Sequence, residues 1–204
     1  GECTVTATTA NGKKVTCKVK VVPGTATIKA TNNGYNSIKL TWNKLGDVTG
    51  YWIYRRTSGS KYKTIAKVSG TTVSYKDKNL VTGQKYYYKI KGYKKVGKTT
   101  YKGSKSKASK AYPKPAKVKI TSIKSTAKGY WKKVAGASGY VIYRSESKTG
   151  KYTKIKEIKK QTKISYNNTG LLKGKTYYYK VMAYRNMSGI YVYGKYSTVK
   201  QIRK

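Results

Sequence analysis

The sequence predicts an all-β protein in which a short β-hairpin is followed by two tandem β-sandwiches. Apolar and polar residues alternate over short segments, as where Ile38, Leu40 and Trp42 alternate with Lys39 and Thr41. A period of two, with turn residues between the segments, is typical of half-buried strands. No stretch has the pattern of an amphipathic helix. A block of about 90 residues also occurs twice, which indicates two copies of one sandwich.

Two motifs carry the repeat, and both have the aromatic alternation of a strand. Their copies are 89 and 91 positions apart. This drift predicts two extra residues in loops of the second copy, one near 145–150 and one near 159–162. The motif pairs are GYWIYR at 50–55 with GYVIYR at 139–144, and GQKYYYKI at 83–90 with GKTYYYKV at 174–181.

Prolines mark the domain boundaries. Pro23 precedes the first copy, and Pro113 and Pro115 precede the second. Proline ends strands and stiffens short linkers. We therefore expect a hairpin at 1–22, a first sandwich at 23–112 and a second sandwich at 113–204.

Residues 1–22 match neither copy and predict one hairpin, with strands at 4–9 and 14–21. Residues 10–12 (ANG) fit a three-residue turn with Gly12 in the left-handed conformation. An isolated two-stranded hairpin is marginally stable in water. We therefore expect this hairpin to pack against the first sandwich or against part of an upstream domain.

The two cysteines lie in this hairpin. The turn places Cys17 opposite Val5 and Cys3 opposite Val19, so the cysteines form a diagonal pair with Cα atoms roughly 7 Å apart. That separation is at the limit for a disulfide, and we favour two small buried apolar side chains over a Cys3–Cys17 disulfide. A cysteine nucleophile needs a base such as histidine, which the chain lacks, and a zinc site needs more ligands than two thiols.

Several residues fit one known family. They comprise Trp42 and Trp131, the GYxIYR motif, the last-hairpin residues 193–197 (YGKYS), and the pattern Leu80-x-x-Gly83-x-x-Tyr86 with its copy Leu171-x-x-Gly174-x-x-Tyr177. With these residues each copy resembles a fibronectin type III domain of Gram-positive surface and secreted proteins, an immunoglobulin-like sandwich whose LxxGxxY pattern resembles a tyrosine corner. Residues 3–22 resemble the end of a group 2 bacterial immunoglobulin-like domain. The resemblance implies a spacer or adhesion module without catalysis.

The second copy departs from the first in one strand. Ala127 and Gly129 stand where the first copy has Ile38 and Leu40. Smaller side chains leave space between packed sheets. We expect this strand of the second copy to be less well packed.

The composition argues against catalysis and metal binding. The chain has no histidine and only five acidic residues, which are too scattered for a carboxylate pair. We predict no enzyme activity, no cofactor and no metal site. No apolar run approaches the roughly 20 residues of a membrane-spanning helix. Because the chain begins at Gly1, we expect it to be a fragment or mature segment of a larger protein.

The outward face of each copy is rich in aromatic and basic residues, and Tyr93 and Tyr184 should also lie there. Such a face could stack on sugars or bases, or dock another domain. Alternatively, aromatic pairs stabilise the sheet and lysine stems cover the rings; an exposed Trp52 would favour a ligand site. The candidate ligand-binding residues are Trp52, Tyr54, Arg55, Arg56, Tyr87 and Lys89 in the first copy, and Tyr143, Arg144, Tyr178 and Lys180 in the second.

The net charge of +42 indicates an anionic partner. Lysine acts as a point charge, so any nucleic-acid binding should be non-specific and weakened by salt. Candidate ligands are teichoic acid, extracellular DNA, anionic glycans or an acidic protein chain. We predict a structural or adhesion segment that is secreted or attached to the cell wall or surface. The alternative is a fibre-forming subunit that self-assembles, or an accessory module of a secreted carbohydrate-active enzyme that packs on neighbouring domains of its chain.

Overall fold

A computed structural model describes residues 1–204, which form strands, turns and loops without a helix. Consequently, no helix is long and apolar enough to cross a membrane. The chain divides into two compact units. The first comprises Gly1–Thr31, Lys39–Lys76 and Lys85–Ala111, and the second comprises Asn32–Ile38, Asp77–Gln84 and Tyr112–Lys204.

The N-terminal hairpin has the predicted register. Strand β1 (Glu2–Thr8) pairs with β2 (Lys14–Lys20) in antiparallel fashion. The Thr9 N–H donates to the Lys13 carbonyl oxygen at 2.9 Å, and Gly12 has φ 80°. This is the three-residue turn expected from the sequence, because a left-handed residue closes it without a Cβ penalty.

The environment of this hairpin differs from the prediction. Cys17 does oppose Val5 and Cys3 does oppose Val19, but both cysteines are free and exposed. The expectation that they are buried is therefore wrong, and the first sandwich does not cover the hairpin. Both strands are exposed along their whole length, and Val15 has 72% of its surface accessible. Alternation defines an apolar face, but it does not say what covers that face.

The first sandwich has a three-stranded and a five-stranded sheet. The strands are β3 (Ile28–Asn32), β4 (Ile38–Trp42), β5 (Gly50–Arg56), β6 (Lys63–Ser69), β7 (Ser74–Asp77), β8 (Tyr86–Val96), β9 (Thr99–Lys102) and β10 (Ser109–Ala111). The strand order is β3-β4-β7 in the smaller sheet and β10-β8-β5-β6 in the larger, where β9 also pairs with β8.

The second sandwich repeats this arrangement. The strands are β11 (Ile120–Ile123), β12 (Lys128–Trp131), β13 (Gly139–Ser145), β14 (Thr153–Ile158), β15 (Ser165–Asn167), β16 (Thr176–Met187), β17 (Ile190–Tyr193) and β18 (Lys200–Arg203). Its sheets have the orders β11-β12-β15 and β14-β13-β16-β17, and β18 also pairs with β16. The Tyr177 hydroxyl accepts a hydrogen bond from the Leu172 N–H at 3.1 Å, as in a tyrosine corner.

The weak packing expected in the second copy is confirmed. A small cavity of about 20 Å³ lies in its core, bounded in part by Ala127, Gly129 and Trp131. Ala127 has φ 61° and precedes β12, which begins at Lys128. The Ala127 methyl group therefore does not occupy the place that a strand residue such as Ile38 fills in the first copy.

Replacing Gly129 with alanine should stabilise the second sandwich. A Cβ at Gly129 would meet its nearest neighbours, on Ile123 and Tyr166, at 3.9 Å and 4.0 Å, which is ordinary contact distance. Glycine within a strand costs roughly 0.5–1 kcal/mol relative to alanine, so Gly129→Ala should raise the melting temperature by a few degrees. Thermal unfolding followed by circular dichroism measures this change.

The matched control for this variant is Gly139→Ala in the same sandwich. A Cβ at Gly139 would collide with the Ile158 carbonyl oxygen and approach the Tyr184 hydroxyl. This variant should lose more than about 2 kcal/mol of stability, because backbone would have to move. Equal melting temperatures for the two variants would contradict this description of the core.

Candidate functional site

The five-stranded sheet of the first sandwich carries basic and aromatic side chains on its outer face. In the register of β5 and β8, Trp52 lies opposite Lys91, Tyr54 opposite Lys89, and Arg56 opposite Tyr87. Residues directly opposite on adjacent strands share a face. We call this surface, together with the side chains lying on it, the basic face.

Lysines of the chain itself cover the largest rings of the basic face. The Trp52 ring is half-buried, with Lys67 Nζ at 5.1 Å and Lys102 Nζ at 4.7 Å from its centroid. Lys105 Nζ lies 4.5 Å from the centroid of Tyr54, which is buried. These are cation–π contacts. A ligand could stack on Trp52 only after displacing these ammonium groups, so the face presents charge rather than bare rings.

The other end of the basic face is an arginine–tyrosine cluster. The Arg56 guanidinium lies 4.5 Å from the Tyr87 ring centroid and 5.2 Å from that of Tyr62. Lys89 Nζ lies 5.3 Å from the same Tyr62 ring. Sequence reasoning missed Tyr62 because it lies in the loop before β6, outside any strand pattern.

Arg55 and Arg144 lie apart from the other candidate residues. Arg55 is opposite Tyr88, and Arg144 is opposite Tyr179, on the inner faces of their sheets. The Arg55 guanidinium stacks 5.6 Å from the Tyr86 ring centroid, and Arg144 stacks 5.1 Å from that of Tyr177. Alternation along β5 and β13 sends both arginines inward, so they do not share the outer face with the other candidate residues.

The second sandwich keeps part of this arrangement. Tyr143 lies opposite Lys180 on the outer face, and Tyr178 lies opposite Ser145. Lys180 Nζ is 3.8 Å from the centroid of Tyr152, the counterpart of Tyr62 in the loop before β14. Tyr143 also meets Tyr196 edge to face at 5.2 Å. Burial, followed by the neighbouring Tyr196, raises the pKa of Tyr143 to about 12.

A second aromatic cluster lies toward the hairpin of β16 and β17. Tyr184, expected on the outer face, lies there but is only 2% exposed, because Tyr191 and Tyr193 pack against it at centroid distances of 5.3 Å and 6.1 Å. Burial, followed by the nearby Glu157 carboxylate, raises the pKa of Tyr184 to about 12. We call Tyr184, Tyr191 and Tyr193 the tyrosine platform; it was not identified from the sequence.

Glu157 lies beside the tyrosine platform. Lys154 Nζ is 2.6 Å from Glu157 Oε2, and this hydrogen bond lowers the pKa of the carboxyl group. No group of three histidine, cysteine or acidic side chains capable of holding a metal ion occurs in the structure. The rings, cations and polar groups on these faces can stack, attract charge and form hydrogen bonds.

A comparison with known protein families finds a match over the first sandwich. Residues 22–107 match the family model for the Fibronectin type III domain. The first sandwich is thus similar to fibronectin type III domains. The second sandwich has the same strand order and the same motif residues, so the chain carries two fibronectin type III-like sandwiches in tandem.

Three individual proteins are similar to parts of the chain. An amylopullulanase of Thermoanaerobacterium saccharolyticum is 29% identical over 122 residues, covering 52% of this chain and 9% of that protein. The chain thus spans about a tenth of the length of this relative. A two-domain fibronectin type III segment of chicken tenascin is 11% identical with a TM-score of 0.48, covering 89% of this chain and 99% of that one. The FN1–FN3 domains of chicken CNTN1 are 18% identical with a TM-score of 0.38, covering 88% and 66%.

The glycine that opens the repeated GYxIYR motif has a steric role in both sandwiches. A Cβ at Gly50 would collide with the Val68 carbonyl oxygen and press on the Tyr93 ring. Gly139 has the same relation to Ile158 and Tyr184. Glycine therefore leaves room for the outer tyrosine side chain at the start of the central strand.

The raised pKa of Tyr184 predicts a loss of stability at alkaline pH. An unfolded tyrosine has a pKa of about 10, so above pH 10 the unfolded chain loses its proton first, and stability falls until the folded-state pKa of about 12 is reached. In Tyr184→Phe this loss is absent. The free energy of unfolding of Tyr184→Phe, relative to that of the wild type, should therefore rise by roughly 1 kcal/mol per pH unit above pH 10.

Paired calorimetric measurements of the two proteins between pH 8 and about pH 11 test this shift. Comparing them at each pH cancels the effect of lysine neutralisation, which both proteins share. A difference between wild type and Tyr184→Phe that stays constant with pH would contradict the prediction.

Proposed function

We propose that this segment is a non-catalytic, extracellular structural or adhesion module that binds anionic polymers through the charge of its basic face. The observation that carries the proposal is the set of cations held over rings there. Lys67 and Lys102 flank Trp52, and Arg56 lies on Tyr87. A ring holds a cation in place without neutralising it, so the charge stays available to phosphate, sulfate or carboxylate groups.

The absence of carboxylates from the rows of the basic face supports this proposal. One row is Lys67, Trp52 and Lys91, and the next contains Tyr54 and Lys89. A face with cations in successive rows and no internal counter-charge attracts polyanions over a distance of about one Debye length. Because these contacts are made largely by lysine, we expect the basic face to respond to the charge density of a polymer and not to a nucleotide sequence.

An extracellular location is part of the proposal. The amylopullulanase to which this chain is similar is a polysaccharide-degrading enzyme by name, and polymers of that size are met outside the cell. Candidate ligands in that setting are teichoic acid, extracellular DNA and anionic glycans. The positive charge then holds the module against such polymers while the sandwiches act as spacers.

Binding to a DNA duplex, to teichoic acid and to heparin across a salt series tests the proposed function. For duplex DNA the logarithm of affinity falls with the logarithm of salt concentration, with a slope of about −0.9 per phosphate contact. The variant Arg56→Gln/Lys67→Gln/Lys89→Gln should reduce that slope by roughly 2 to 3 units, because three contacts on the basic face are lost. Fluorescence anisotropy measures the slope.

The matched control is Lys29→Gln/Lys39→Gln/Lys76→Gln, which removes equal charge from exposed positions on the three-stranded sheet. Its slope should remain close to that of the wild type. Equal slopes for the two triple variants would mean that the basic face has no special role. Absence of binding at low salt, or tight binding that salt leaves unchanged, would overturn the proposed function.

A second candidate function is that of an accessory module in a secreted carbohydrate-active enzyme. The similarity to an amylopullulanase favours it. A catalytic glycosidase domain elsewhere in the parent chain would support this role. The exposed hairpin keeps a fibre-forming role as a further alternative, because its unpaired edges could add to the sheet of a neighbour; a monomeric mass by light scattering would argue against it.

A further inference from the structure

The tyrosine platform presents two open aromatic rings on the second sandwich. Tyr191 and Tyr193 are 40% and 44% exposed, and their rings lie nearly parallel, 6.2 Å apart with an interplanar angle of 22°. Tyr184 packs against both. In contrast to Trp52, which lies between two ammonium groups, these rings are braced by another ring and remain open to solvent.

The backbone beneath the platform is well defined. Strands β16 and β17 are joined by a two-residue turn, Ser188 and Gly189, with φ 51° and 93°. Two positive φ angles are those of a type I′ turn, whose twist matches that of the flanking strands. The Asn186 side-chain oxygen accepts a hydrogen bond from the Gly189 N–H at 2.8 Å. A braced pair of rings on such a hairpin loses little conformational freedom when it binds a ligand.

The platform lacks the charge of the basic face. The registers of the two sandwiches match, so their outer positions can be compared one by one. Four lysines of the first sandwich are replaced by uncharged or acidic residues in the second. The pairs are Lys67 with Glu157, Lys91 with Met182, Lys95 with Asn186, and Lys102 with Tyr193.

The remaining local charge is partly balanced. Glu157, one of five acidic residues in the chain, lies beside Tyr184 and binds Lys154. An acidic residue at this position repels the polyanions that the basic face attracts. A ligand for the platform therefore does not need negative charge, although the chain as a whole is strongly basic.

We propose that the tyrosine platform binds a neutral polysaccharide. The C–H faces of pyranose rings are apolar and stack on tyrosine rings, while the sugar hydroxyls along the ring edges meet phenol hydroxyls and the Asn186 amide. Tyrosine suits such a ligand because it combines an apolar face with a polar tip. This proposal does not depend on polyanion binding, since the two surfaces lie on different sandwiches and use different interactions.

Binding to a panel of neutral polysaccharides tests the platform. The probes are pullulan, amylopectin, mixed-linkage β-glucan, xylan and galactomannan, measured by affinity gel electrophoresis and by titration calorimetry in about 1 M salt, where charge–charge attraction is screened within about 3 Å. The wild type should bind at least one of them. Tyr191→Ala and Tyr193→Ala should each weaken binding roughly tenfold, and the double variant should lose it.

Tyr112→Ala is the matched control, because Tyr112 is 43% exposed and lies outside the platform. It should bind as the wild type does, and all variants should keep the wild-type circular dichroism spectrum. Failure of the whole panel to bind would overturn the proposal, as would binding that survives the double variant or disappears as salt is added. If the protein binds a neutral polysaccharide but neither DNA nor heparin, the proposed polyanion function is rejected and the proposal for the platform stands.

Discussion

Each sandwich depends on one contact between a tryptophan of the smaller sheet and a tyrosine of the larger. Trp42 meets Tyr51 edge to face at 5.7 Å, and Trp131 meets Tyr140 at 5.3 Å. Both tyrosines are fully buried. Their hydroxyl groups accept hydrogen bonds from the backbone N–H groups of Leu45 and Val134, at 2.8 Å and 3.0 Å. One tyrosine thereby joins two sheets and fixes the loop that connects them, which satisfies a buried hydroxyl at the same time.

This contact also decides which residues face solvent. Because Tyr51 points inward, Trp52 must point outward, and the same parity extends to β8 through the strand register. The lysines opposite Trp52 and Tyr54 therefore lie on the outer face, where they have few acidic partners. Aromatic rings take the place that carboxylates have on ordinary protein surfaces, with about 0.5–1 kcal/mol for each exposed cation–π contact. Such contacts stabilise the cations but leave the net charge unchanged, so the surface still attracts anions.

Much of the fold follows from the sequence because the parity of strands and the repeat are local signals. The hairpin register follows from Gly12, and the loop insertions follow from the repeat drift. Arg55 pairs with Lys63 and Arg144 with Thr153, so this partner is shifted by one position more than the motif itself. The Trp42 N–H donates to the Val73 carbonyl oxygen and the Trp131 N–H to that of Ile164, which adds one further position. Two further features depend on backbone geometry or tertiary packing: the left-handed conformation of Ala127 and the exposure of the hairpin. Alternation along the strand predicts the inward direction of Arg55. The contact between Tyr191 and Tyr184 depends on the position of the β16–β17 hairpin, which the sequence pattern does not give.

The two sandwiches share the inner residues of their central strand and differ at several outer positions. At the inner positions of the central strand, Tyr51 and Ile53 have identical counterparts in Tyr140 and Ile142. At the outer position between them, Trp52 becomes Val141. The core restricts inner positions because a changed volume leaves a cavity or a clash, but it places little restriction on the outer face. The outer faces of the two copies therefore differ in chemistry on a shared architecture, and they are the part of the chain where two distinct ligands are to be sought.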